Sequence, residues 1–333
     1  MPWHYSLRNS ACTKVCCGTA GAIGTRCGDK GGGDVAKVLV LGSAGNIGKP
    51  LVRRLRTSGH EVMESDHRAG WRDDYVMGDI RNAIDLLPAF DWQPDVVFML
   101  AALVSRVTCE DAASLAVDTN LTGLQNTLEL SKRVGAKFVY FSTSEVYGPD
   151  VEFMDEDGPA QPNNRYGLTK LLGEKLVEYE VREHGLKAVT IRPFMMYDEL
   201  EDFGSHRSAM IRFATELACG RPIEVHRGSA RGWLHASDAV RALERTMDLE
   251  EYEVINIGSP DIRSISELAE LVRATLGADP ALVHEVGLPG RMTLTKVPNL
   301  SKQEHLLGVV PEVSLEDGVK LVCDAVQERL ARQ

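Results

Sequence analysis

Tyr166 and Lys170 stand four residues apart in the run Asn-Asn-Arg-Tyr-Gly-Leu-Thr-Lys, downstream of the turn Ser142-Thr143-Ser144-Glu145. Residues at this spacing share one face of a helix, so the Lys170 ammonium is expected to hold down the pKa of the Tyr166 phenol. A phenol that ionises near neutrality is a general base. The same spacing arises by chance on exposed helices, so its meaning depends on the elements that position it.

The glycine pattern G-x-x-G-x-x-G occurs twice, at Gly18, Gly21 and Gly24 and again at Gly42, Gly45 and Gly48. It serves a dinucleotide when a strand delivers the first glycine and a helix begins near the last, because loop amides and the helix N-terminus then receive the pyrophosphate. Only the second copy qualifies: residues 37–41 read as a buried strand and residues 49–55 open an amphipathic helix. The first runs into Thr25-Arg26-Cys27-Gly28, which starts no helix. An acid at the tip of the next strand should accept the adenosine ribose hydroxyls. Asp66 is the better candidate and Glu64 the alternative, and the plain reading of Asp66 is a solvated turn residue. A carboxylate there repels a 2′-phosphate, which favours NAD over NADP, and Arg68 pulls the other way.

At 333 residues the chain exceeds a single compact core, so a large domain with a smaller lobe is expected. A formal charge of -11 argues against nucleic acid as a partner. No apolar run is long enough for a bilayer span or a signal-peptide core, so no membrane partner is expected and the expected location is the cytoplasm. Cys12, Cys16, Cys17 and Cys27 crowd into a glycine-rich extension, residues 1–36. They lack paired C-x-x-C arms and have only His4 nearby, so a reduced, flexible tail is expected over a zinc knuckle, and no metal is assigned.

Strands at 96–100, 137–141 and 188–192 alternate with helices at 117–134 and 165–184. This is the pattern of an α/β fold, a Rossmann-type doubly wound parallel sheet, over residues 37–192. Beyond Pro193 the elements shorten, with a helix at 208–219, strands at 223–225 and 253–257, and helices at 264–276 and 315–332. Residues 193–230 and 259–333 are expected to form a smaller α/β substrate-binding lobe, with the sheet completed by about 231–258.

From residue 37 to residue 332 the order of short motifs resembles the extended short-chain dehydrogenase/reductases, in particular the nucleotide-sugar epimerases, dehydratases and decarboxylases. The motifs are Gly42-Ser-Ala-Gly45-Asn46-Ile47-Gly48, Gly78-Asp79-Ile80, Leu100-Ala101-Ala102, Asn120 before Gly123, Ser142 to Gly148, Tyr166 with Lys170, Arg192-Pro193-Phe194, and Arg231 to Asp238. The resemblance implies an NAD-dependent homodimer acting on a nucleotide-diphosphate sugar, its helices after Val117 and around Tyr166 forming the interface. By it, the glycine loop with Asn46 and Ile47 would hold the cofactor, together with Asp66, Asp79, Ile80, Leu100, Ala101, Ala102, Asn120, Tyr166 and Lys170. Thr143 would hydrogen-bond the sugar hydroxyl beside Tyr166, and Arg231 would grip the diphosphate. Their plain alternatives are a strand-end cap and a surface cation. Tyr166 would remove the proton from a sugar hydroxyl, expected at C4, as the hydride leaves for NAD, giving a 4-keto sugar.

The fate of that ketone separates the subfamilies. Dehydratases resemble Thr-Asp-Glu where this chain has Thr143-Ser144-Glu145, so the acid for 4,6-elimination is missing. Thr-Ser-Glu is similar to the turn of UDP-glucuronate decarboxylases and some bacterial 4-epimerases, in which the serine would bind a C6 carboxylate or hydroxyl. Glu145 is then either a base near C5 or an exposed acid. The decarboxylases resemble Arg-Lys-Pro-Asp where this chain has Lys296-Val297-Pro298-Asn299, with Arg291 five residues away as a substitute cation for the substrate. After Arg192-Pro193-Phe194 the family usually has asparagine, whereas Met195 cannot donate a hydrogen bond, so the pocket is expected to be specialised there. The leading expectation is a nucleotide-sugar 4-epimerase on a UDP-hexose or UDP-hexuronate, and the alternative is a UDP-glucuronate-type decarboxylase. A non-catalytic NAD-binding regulator on the same fold would be expected to lack the Tyr and Lys pair.

Overall fold

The computed structural model describes residues 35–149, 151, 153–204, 208–287 and 295–332. The strand Lys37–Leu41 is an unbroken apolar run after its lysine because both of its faces are covered. Val38 and Val40 enter one core with the helices Gly48–Thr57 and Ala236–Arg245. Leu39 and Leu41 enter the other, with Ala83–Asp91, Gly123–Val134 and Arg165–His184. The sheet has seven strands in the order Val254–Ile257, Ala188–Pro193, Lys137–Phe141, Val96–Met99, Lys37–Leu41, Glu61–Asp66, Tyr75–Met77. All its pairings are parallel. The winding direction reverses beside Lys37–Leu41, which opens a crevice at the carboxyl ends of the strands.

The helix Arg165–His184 begins as expected because the Asn164 side chain accepts from the Gly167 amide, and it ends at Gly185 with φ of 68°. The helix expected over 117–134 is interrupted: Asp118–Thr122 forms a π-helical turn between Ala113–Val117 and Gly123–Val134. Buried Asn120 lies within that turn, its side chain tied to the Leu103 backbone and to Thr169.

Of residues 231–258, only Val254–Ile257 joins the large sheet. Ala230–His235 instead runs parallel to Met195–Tyr197 and Thr295–Pro298 and antiparallel to Ile262–Ser264. This second sheet packs on helices Ala209–Ala218, Ile265–Leu276 and Leu315–Ala331 around Trp233. Arg291 and the N-terminal cysteines lie outside the described residues. Among the described residues, no helix is long and apolar enough to cross a membrane, and no group of three acids, histidines and cysteines is placed to hold a metal.

Candidate active site

A cavity of about 520 Å³ fills the crevice. Its wall is made by Gly42, Gly45, Asn46, Ile47 and Gly48, by Asp66, Asp79 and Ile80, by Leu100, Ala101 and Ala102, and by Tyr166 and Lys170. Two glycines are required by contact. A Cβ on Gly42 would sit 2.7 Å from the Ala101 amide nitrogen, and one on Gly48 would sit 2.2 Å from the Gly42 carbonyl oxygen. The loop can therefore fold back under the helix Gly48–Thr57, leaving that N-terminus open to a pyrophosphate. The Asp66 carboxylate accepts from the Ala44 and Arg68 amides at 3.1 Å each, which fixes it at the strand tip. Glu64 is occupied by Arg56 and Arg72, so Asp66 is the acid that faces the cavity. Asp79 is paired with Arg81, which holds its carboxyl below the usual range.

Asn120 is a correction. It does not line the cavity, because its amide bridges Leu103 and Thr169 and so pins the wall of the crevice to the helix that carries Tyr166. Thr119, one residue earlier, lines the cavity instead. Met195 also lies off the cavity wall, packed against the second core.

Thr143 follows the strand Lys137–Phe141, and its hydroxyl accepts from the Glu145 amide at 3.2 Å and lies beside the Tyr166 phenol. Thr143 is thus a cap at the end of the strand, with its hydroxyl beside Tyr166. Desolvation raises the Tyr166 pKa above its ordinary value, the Thr143 hydrogen bond lowers it, and the Glu145 and Cys109 charges raise it again. Burial pushes the Lys170 ammonium down to about 7, with its Nζ over the Tyr140 ring at 4.4 Å from the centroid. At neutrality the pair therefore carries less positive charge than a solvated lysine would supply.

Below these groups lies a network that the motifs did not announce. Glu174, one helical turn beyond Lys170, accepts from Ser142 Oγ at 2.5 Å and from Arg192 through Nε at 3.0 Å and through a terminal nitrogen at 2.8 Å. Arg192 also donates to Tyr147 Oη at 3.1 Å, and Tyr147 donates to Asn256 at 2.7 Å. The ends of three sheet strands are thereby fixed to the helix carrying Tyr166 and Lys170.

Beyond Thr143 sits a second charged group. Lys296 Nζ donates to Glu145 Oε1 at 2.7 Å and to Ser144 Oγ at 3.2 Å, and Asn164 donates to the other Glu145 oxygen at 3.0 Å. Burial alone would raise Glu145, but Lys296, Arg106 and Asn164 outweigh it and hold its carboxyl below the usual range. Burial lowers the Lys296 ammonium despite the opposing pull of Glu145. Arg231, 9% exposed, pairs in strand register with Lys296, and burial lowers its pKa as well. Arg106, at the start of the helix Arg106–Asp111, completes the cluster, and no motif had marked it.

A doubly wound parallel sheet with a dinucleotide cavity at its switch point, Tyr166 and Lys170 at the cavity wall and Thr143 beside Tyr166 defines an NAD-dependent enzyme of the extended short-chain dehydrogenase/reductase class. The chain matches the NAD dependent epimerase/dehydratase family over residues 38–258 and belongs to that family. It is 29% identical to UDP-glucuronic acid decarboxylase 6 of Arabidopsis thaliana over 88% of its own length and 90% of the relative's. Its fold is similar to that of UDP-glucose 4-epimerase from Thermotoga maritima, solved with UDP-glucose, at a TM-score of 0.83 and 27% identity over 88% and 99% of the two chains. It is likewise similar to MoeE5, solved with UDP-glucuronic acid and NAD, at a TM-score of 0.79 and 26% identity over 88% and 99%. The cofactor is NAD.

Proposed function

We propose that the protein oxidises C4 of a UDP-linked hexuronic acid and then releases the C6 carboxylate as carbon dioxide, making it a nucleotide-sugar decarboxylase. NAD, held by the Gly42–Gly48 loop and Asp66, would supply the oxidant for C4 and the hydride that restores it. Thr143 and Tyr166 hold the C4 oxygen, and Tyr166 Oη carries its proton away and back. The two groups can also hydrogen-bond the C4 oxygen as negative charge gathers there when the C5–C6 bond breaks. C5 must then receive a proton.

The observation that carries this reading is the buried set Ser144, Glu145 and Lys296 beyond the Thr143 and Tyr166 pair. Epimerisation at C4 needs one proton-handling group, whereas decarboxylation needs a second proton delivered at C5. A lysine whose pKa is lowered by burial is a better donor than a solvated one. Relatives named as UDP-glucuronic acid and UDP-N-acetyl-alpha-D-glucosaminuronate decarboxylases support the same reading.

One observation favours the 4-epimerase. Both Glu145 oxygens already hold hydrogen bonds, from Lys296 and Asn164. The set could then be a strut, and the keto sugar would simply be turned over and reduced. Incubating the enzyme with UDP-glucuronate labelled at the carboxyl carbon separates the two. Decarboxylation releases the label, and Glu145→Gln should slow that release by about 10-fold or more. Retained label with an altered C4 proton coupling sinks the decarboxylase reading.

The homodimer is also a proposal. Its support is the exposure of Val107, Leu115, Val117, Leu168, Leu172 and Tyr179 on the helices named for the interface and on the segment leading to them.

A further inference from the structure

Arg231 is nine-tenths buried, yet no described acid forms an ion pair with it, and Arg106 likewise has no ion-pair partner among the described residues. Glu145, whose charge bears on Arg231 and whose own carboxyl is held down in part by Arg106, is engaged by Lys296 at 2.7 Å. Three cationic side chains, Arg106, Arg231 and Lys296, therefore gather about the Glu145 carboxylate. An unpaired buried guanidinium is costly unless an anion joins it on binding.

The two arginines approach from different elements. Arg231 lies on Ala230–His235, in register with Lys296, and by resemblance serves the diphosphate. Arg106 opens the helix Arg106–Asp111, directly after the cavity-lining Leu103 and Val104 and the helix cap Ser105. Its charge bears on Glu145 and Lys296, the pair that lies beyond Thr143 at the sugar end of the site.

We propose that Arg106 is a specificity-determining residue that binds the C6 carboxylate of the sugar, so that the pocket selects anionic nucleotide sugars over neutral ones. The proposal rests on the hexuronate part of the reading above and is independent of what becomes of the 4-ketone. A cation that grips the carboxylate stabilises the bound substrate and must release it before carbon dioxide can leave. Arg106 should therefore act on KM and leave kcat unchanged or slightly restrained.

The test measures binding of UDP-glucuronate and of UDP-glucose to the NAD-loaded full-length enzyme by calorimetry, for the wild type, Arg106→Gln and Arg106→Lys. Loss of a charge-assisted contact should weaken UDP-glucuronate about 10- to 100-fold in the glutamine variant. UDP-glucose, NAD affinity and melting temperature should not change, and Arg106→Lys should recover part of the loss. In turnover, KM should rise with kcat kept or raised. Equal losses for both sugars, no loss for either, or a wild type that does not prefer the uronate would each overturn the assignment. If the variants behave as stated but the wild-type product is a C4 epimer, Arg106 stands and decarboxylation falls.

Discussion

Replacing Lys170 with methionine should stabilise the cofactor-free protein at neutral pH while abolishing its turnover. Burial lowers the ammonium from 10.5 to about 7, and Lys170 is 3% exposed. Between those two values the unfolded chain holds a proton that the folded protein does not, so stability rises with pH across the window. The cost of burying the charge is fully present below about pH 7 and is gone above about pH 10.5. A drop of about 3.5 units, at about 1.4 kcal/mol per unit, sets a ceiling of roughly 5 kcal/mol. Losing the contact with the Tyr140 ring gives back about 1 to 2 kcal/mol. The variant should thus be about 2 to 4 kcal/mol more stable near pH 7, with the difference shrinking toward zero as the pH approaches about 10.5. Lys137, lowered to about 8 by burial under three backbone carbonyls, contributes the same slope to both proteins and cancels. Urea unfolding followed by tryptophan fluorescence over this range reads the difference directly. A difference that is flat with pH, or a methionine variant that is less stable at neutrality, would show that the folded ammonium is not desolvated.

Tyr166→Phe preserves the ring at the cavity wall, so NAD affinity should hold while turnover falls by about 10² to 10⁴. Cofactor titration beside steady-state kinetics checks this, and undiminished turnover would remove Tyr166 as the base. Glu174→Gln leaves the Arg192 guanidinium buried without its carboxylate and should cost about 3 to 5 kcal/mol of stability. A loss below about 1 kcal/mol in urea unfolding would mean that Tyr147 and the Glu156 carbonyl satisfy Arg192 unaided.

The parts of the molecule that could be read from the chain are those whose cause is local. The glycine loop is legible because Gly42 and Gly48 sit where a Cβ meets backbone, and the Tyr166 helix is legible because Asn164 and Gly185 mark its ends. Asn120 misled because its position in a motif says nothing of where its amide points, and only the π-helical turn makes it a brace between Leu103 and Thr169. Lys170 misled for a related reason: helical spacing brings a charge near Tyr166, but burial decides whether it stays a charge.

The chemistry that separates one family member from another is less local still. Arg106, Glu145, Arg231 and Lys296 come from four separate segments, and only the packing of the second sheet against the first crevice gathers them. Lys296 shows the consequence. As a side chain it replaces a planar fork of five donors by a compact head of three, and two described acceptors, Ser144 and Glu145, already engage it. A head so engaged has little left with which to hold a substrate carboxylate, whereas it is well placed to pass a proton. Binding the acid and protonating the carbon are then tasks for different residues, and Arg106, which has no ion-pair partner among the described residues, is the cation proposed to do the first.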